Sequence, residues 1–200
     1  MKKLAVVVMM IAIATFMAAA MASADDHDGW GIHGIYAFTG SNGCLAAPFG
    51  FNSSLTAING VSGFDFQTWE GTYTFERNGT GMLQVLFHDV GATPNAGGSG
   101  KIEWKFTYTV TDEGKITFTI PGAYSGQWLT GPMAPGTIEF IVTGSNNGVI
   151  SPDGKQILVT WGAPQMQINA GAQPFPGADL QLICNGSFVL FRLSDRGEHE

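Results

Sequence analysis

Two cysteines and four histidines stand among the side chains best suited to chemistry, and their spacing organises few of them into sites. Cys44 and Cys184 are an even pair with no His or basic residue close in sequence to lower a thiol pKa. They read as one disulfide rather than as a catalytic thiol or two free ones. His33, His88 and His199 fall at no zinc-finger or zincin spacing, and no Cys-x-x-Cys exists. His88-Asp89 has the composition of an acid–base pair, although a solvated strand end accounts for it better. Glu70, Glu76 and Glu103 alternate with apolar or aromatic neighbours and read as outward, solvated charges. Gly97-Gly98-Ser99-Gly100-Lys101 imitates a phosphate loop, but Asn95 and Ile102 stand where that pattern needs Gly and Ser or Thr.

The sharpest local motif depends on how the chain begins. Met1–Ala24 has basic Lys2 and Lys3, an apolar run from Leu4 to Met21, and Ala22-Ser23-Ala24. That is the layout of a signal peptide with a small-residue cleavage site, rather than of an uncleaved anchor. Cleavage after Ala24 would start the mature chain at Asp25-Asp26-His27. A free amine, two deprotonable amides and the His27 imidazole form a square-planar nitrogen set suited to Cu(II) or Ni(II). The pattern resembles the amino-terminal copper–nickel motif of serum albumins. No cofactor is expected within the folded domain itself. Without Lys2 and Lys3, seven basic residues face sixteen acidic ones, a net charge of −9. This balance argues against nucleic-acid or anionic-membrane partners.

The elements that must position these residues are strands. Ile102, Trp104, Phe106, Tyr108 and Val110 alternate with Lys101, Glu103, Lys105, Thr107 and Thr109, giving one dry and one wet face. Asp112-Glu113-Gly114 turns the chain, and Ile116, Phe118 and Ile120 repeat the rhythm. Asn78-Gly79 marks a second hairpin with a type I′ turn, carrying Trp69, Tyr73 and Phe75 on its first strand. Ser151-Pro152-Asp153-Gly154 marks a third. Further strands are predicted over Gly31–Thr39, Thr137–Thr143, Leu180–Cys184 and Ser187–Leu193, with Asn185-Gly186 as a turn or bulge. Gly40–Gln67, Asp89–Gly100 and Ala123–Gly136 read as long loops.

Residues 25–200 are therefore expected to form a single all-β domain: an antiparallel up-and-down barrel of about eight strands, with a β-sandwich as the alternative. The cysteines lie just after the first strand and just before the last, where a disulfide would staple the closing seam. Segments such as Lys115–Ile120 and Lys155–Trp161 are short for membrane-spanning strands, so no membrane insertion is expected after cleavage. Trp69, Tyr73, Trp104, Phe106, Tyr108 and Phe118 are the predicted lining of the bore, where they either border a cavity or fill it as solid core.

A signal peptide, a glycine-aromatic first strand, a long first loop, a hairpin meander and one disulfide resemble the calycin barrels, lipocalins above all. The lipocalin Gly-x-Trp and the last-strand Arg that packs across it have counterparts in Gly34-Ile35-Tyr36 and Arg192, with Tyr replacing Trp. The chain is also similar to the allene-oxide-cyclase-like barrels. Either resemblance implies a small apolar ligand inside the barrel, with Tyr36 joining its lining. The reading is an exported, periplasmic or extracellular binder of an apolar or aromatic molecule. The alternatives are a cyclase- or isomerase-like enzyme with Tyr36, Tyr73, Tyr108 or His88 as its polar group, and an envelope protein presenting its loops. Oligomeric state has no signature in the sequence. Mature protein starting at Asp25 is expected to take up one Cu(II) with a visible d–d band; a confirmed Asp25 start without that band removes the motif.

Overall fold

The structure, a computed structural model, describes residues 30–47, 49–60, 63–91, 97–120, 122–131, 134–143, 145–161, 165–170 and 180–194. Met1–Ala24, the expected signal peptide, and His27 lie outside the described residues. The strands are β1 (Gly34–Ala47), β2 (Gly63–Phe75), β3 (Thr80–Gly91), β4 (Gly98–Val110), β5 (Lys115–Thr119), β6 (Ala123–Thr130), β7 (Gly136–Thr143), β8 (Ser145–Ile150), β9 (Gln156–Trp161), β10 (Gln165–Ala170) and β11 (Leu180–Ser194). Every pairing between them is antiparallel.

Six of these strands are half-staves. β4 pairs with β5 along Thr107–Val110 and with β6 along Ser99–Ile102. β11 pairs with β9 along Ser187–Phe191 and with β10 along Leu180–Cys184. So β5 continues into β6, β7 into β8, and β9 into β10, each pair acting as one stave. The staves run in sequence order and β1 pairs with β11, which closes an eight-strand up-and-down barrel. The sandwich alternative falls with that closure.

Several sequence-based boundaries need correction. Ala123–Thr130 is strand rather than loop, and β1 and β2 reach well into the supposed Gly40–Gln67 loop. Asn185-Gly186 is neither turn nor bulge: it runs through β11 opposite Gly43 and Asn42. The short segments that argued against membrane spanning are halves of full-length staves, so length no longer counts against it. The wet face of β2–β4 at the waist exposes Thr68, Glu70, Gln84, Lys101, Glu103 and Lys105, with Leu86 among them.

The period-2 rhythm decides the core. On β4, Ile102, Trp104, Phe106 and Tyr108 are buried while the intervening residues face water. Rings crowd a bore of this size, and glycines clear room for them. Gly81 sits opposite Phe106 and Gly100 opposite Phe87, and a Cβ at either position would collide with the facing ring.

The two ends differ. One has tight turns at 76–79, 111–114 and 151–155, each with a left-handed glycine: Gly79, Gly114 and Gly154 at φ 77°, 76° and 66°. Asn78 is not left-handed, so the first turn is a type I turn ending in glycine instead of the expected type I′. Trp30 and Ile32 cap this end, with the Trp30 indole donating to the Asp112 carbonyl at 3.3 Å. The other end carries the longer connection 49–60 between β1 and β2.

Cys44 and Cys184 face each other across the β1–β11 seam, bonded, with Cα atoms 4.1 Å apart. The predicted staple is in place. It closes a loop of 140 residues, so Cys44→Ser together with Cys184→Ser is expected to lower stability by roughly 2–5 kcal/mol in urea unfolding, with the strand signal in circular dichroism retained.

Candidate functional site

The register stacks the inner residues in rows along the bore. Near the tight-turn end the rings meet one another. Phe75 contacts Tyr36, Phe106 and Tyr108 edge-on at centroid distances of 5.1, 5.5 and 5.2 Å. Tyr73 meets Phe38, Phe106 and Phe118 at 5.0, 5.4 and 5.8 Å. Edge-to-face pairs of this kind add stability beyond their burial. The Tyr36 hydroxyl donates to the Gly154 carbonyl at 2.7 Å, and the Tyr108 hydroxyl lies 2.7 Å from the Glu76 carbonyl. Burial pushes the Tyr73 phenol well above its ordinary pKa. Arg192 is registered with Tyr36 and holds its guanidinium 6.0 Å from that ring's centroid.

All seven residues expected to line the bore are thus buried on the inner wall. Tyr36, Tyr73, Phe106, Tyr108 and Phe118 belong to the ring-packed half. Trp69 and Trp104, whose centroids are 6.3 Å apart, mark where that packing passes toward the long-loop end.

Beyond Trp69 the inner wall turns polar. Asn42 on β1 faces Gln67 on β2, which faces Asp89 on β3, so three consecutive staves present one polar row. In the next row outward, Asp65 lies between Cys44 and Gly91. Asn42, Gln67 and Asp65 are buried, at 1, 2 and 7 % exposure. Gln67 organises the group. Its Oε1 accepts from Asn42 Nδ2 at 3.1 Å and from Trp69 Nε1 at 3.2 Å, while its Nε2 donates to Asp65 Oδ2 at 3.2 Å. Five buried polar atoms on the inner wall of this end have no hydrogen-bond partner: Oδ1 of Asn42, Asp65 and Asp89, and Nε1 of Trp128 and Trp161. Trp128 packs edge-on against Phe87 at 5.0 Å, and Trp161 packs against the disulfide cluster.

Asn42, Asp65 and Gln67 were not singled out from sequence as binding or catalytic groups, and Asp89 only as half of the His88-Asp89 pair. The signal that could have found them is continuity: Asp65 and Gln67 share the parity of Trp69 and Tyr73 on one strand. His88 and Asp89, adjacent in sequence, are split by the same alternation. His88 points outward, 3.8 Å from Glu70, so the two form no acid–base pair. Two grooves of about 680 and 610 Å³ lie on the outer wall, lined by residues such as Thr72, Gln84, Lys105 and Thr107, and none of the four polar residues lines them. Among the described residues no cluster of His, Cys, Asp and Glu is placed to hold a metal.

No family model and no curated protein matches the chain. What the geometry defines is a closed antiparallel barrel, ring-packed at one end and lined with partnerless polar atoms at the other.

Asp89 is pushed up to about 9, first by burial, then by a hydrogen bond and the charge of Asp65, with a Gln67 hydrogen bond opposing. It therefore keeps its proton in the folded protein at neutral pH. The stability attached to that proton is fully present below the ordinary carboxyl value and is lost as pH rises toward about 9. Asp89→Asn mimics the protonated acid without the titration. In thermal unfolding it is expected to melt above the wild type at about pH 8, with the gap closing toward about pH 4.

Proposed function

We propose that this chain is an exported small-molecule-binding barrel that admits an apolar or aromatic ligand at the long-loop end. The ligand's body would lie against Trp69, Trp128 and Phe87, and its polar group would face the Asn42–Gln67–Asp65–Asp89 cluster. One observation carries the reading: five buried polar atoms at one end of the bore lack partners. A buried polar atom left unpaired costs about 1–3 kcal/mol. A ligand that completes the hydrogen bonds recovers that free energy, which is how a largely apolar site orients its guest.

The placement of Arg192 over Tyr36 supports a calycin-like, specifically lipocalin-like, affinity. The Cys44–Cys184 bond supports an oxidising compartment. With the leader Met1–Ala24, it favours the periplasm or the cell exterior. A cyclase- or isomerase-like activity is the second reading, favoured by the proton that Asp89 holds at neutral pH and could deliver as a general acid.

Titration with the neutral apolar probe N-phenyl-1-naphthylamine is expected to give saturable one-to-one fluorescence enhancement. Trp69→Leu should weaken it, whereas Phe66→Ser on the outer wall should leave it unchanged. Absence of saturable binding, or equal loss in both variants, would defeat the proposal.

A further inference from the structure

We propose that the polar end of the bore recognises a protonated amine, so that the ligand carries an ammonium head on its apolar or aromatic body. The inference rests on reading that end as the ligand site and names the group it selects. The three partnerless oxygens there, on Asn42, Asp65 and Asp89, are buried within one short stretch of β1, β2 and β3. Asp65 is 7 % exposed, and its charge is one of the influences acting on Asp89. It is hydrogen-bonded to the neutral amide of Gln67 and to the Asp89 carboxyl, and its Oδ1 has no partner. Among the described residues the ion pairs are His88–Glu70 and Lys115–Glu113, both exposed, so neither aspartate has a cationic partner.

A buried carboxylate without a counter-charge is among the least favourable groups a core can hold. The complement must supply positive charge and several N–H donors in a small volume. An ammonium does both: it has three donors and no acceptor, matching the partnerless oxygens of Asn42, Asp65 and Asp89, the last free to accept because the Asp89 proton goes to its hydrogen bond with Asp65. A divalent cation fits worse, since it takes six or more oxygen ligands with several carboxylates, and no such cluster is present among the described residues. The aromatic surroundings favour the same guest. Trp69 donates its indole N–H to the Gln67 oxygen that also holds Asn42. Indole faces attract a desolvated cation, and the rings around Trp69 include Phe87, Trp104 and Phe188 at 6.3 to 6.4 Å.

The test compares matched amines and alcohols on the intact, disulfide-bonded protein by calorimetry: benzylamine with benzyl alcohol, 2-phenylethylamine with 2-phenylethanol, and octylamine with octanol. At least one amine is expected to bind roughly tenfold or more tighter than its alcohol, the worth of one hydrogen bond to a charged group. Asp65→Asn should erase that preference, whereas Phe66→Ser on the outer wall should keep it. Displacement of each amine by its alcohol at equal concentration would overturn the ammonium assignment while leaving the ligand site standing. So would binding of N-phenyl-1-naphthylamine without binding of any amine. Failure of amines, alcohols and that probe together would overturn both readings. If Asp65→Asn does not fold, Asn42→Ala, which removes another of the three accepting oxygens, should weaken the amine preference, and full retention of that preference there counts against the assignment.

Discussion

The bore of an eight-strand barrel has little room, and its filling constrains the rest of this molecule. Strand alternation sends every second side chain inward from eight directions at once. Aromatic rings placed there exceed the space unless other positions are emptied. Here the emptying is done across the strand pair: Gly81 lies under Phe106, Gly100 under Phe87, and Gly40 under Phe188. The ring supplies the contact that the glycine lacks, and the glycine supplies the depth that the ring needs. In this way the tight-turn half reaches a packed aromatic interior with Tyr36 and Phe75 almost wholly buried.

Closure adds a second constraint. A meander of hairpins forms from local pairings, but its first and last strands meet only after nearly the whole chain has been laid down, a long-range pairing that carries a loop-closure penalty. The seam is as long as the β1–β2 pairing, running from Ile35–Ser194 to Ala47–Gln181, and the disulfide sits near its long-loop end. That is also where the interior stops being apolar. Cys44 shares the inner face of β1 with Asn42 and is registered with Asp65. The covalent staple therefore lies beside the residues whose polar atoms do least for stability.

Much of the architecture was legible because the alternation along β4 is almost unbroken and because the cysteines bracket the meander. The half-staves were not legible. Pro121-Gly122, Gly144 and Gly162-Ala163-Pro164 carry the residue types that end strands, and nothing local says that pairing resumes with the same neighbours. Asn185-Gly186 misled for a related reason: its turn chemistry is real in isolation, but Gly186 fits where a Cβ would meet Asn42 and the Ser41 carbonyl. The polar row was hidden more deeply. Asn42, Asp65 and Gln67 are ordinary loop residues by composition, and only the pairing of β1 with β2 and β3 gathers them with Asp89.

That gathering links stability to function. A core that served only to hold the fold would gain from apolar residues at Asn42, Asp65, Gln67 and Asp89, as the tight-turn half shows on the same strands. Instead the chain holds a carboxyl protonated at neutral pH beside a second buried carboxyl, and orients Gln67 with two donors. Fixing Gln67 in this way leaves its amide pointing at Asp65 and leaves outer oxygens of Asn42 and Asp65 without partners. On the proposed reading the arrangement is pre-organised for a guest, since the polar atoms are already buried and held before anything arrives. The packed half makes that possible: rings locked against one another at one end keep the staves in register, and the same strands then carry an unfavourable polar cluster at the other end without losing the fold.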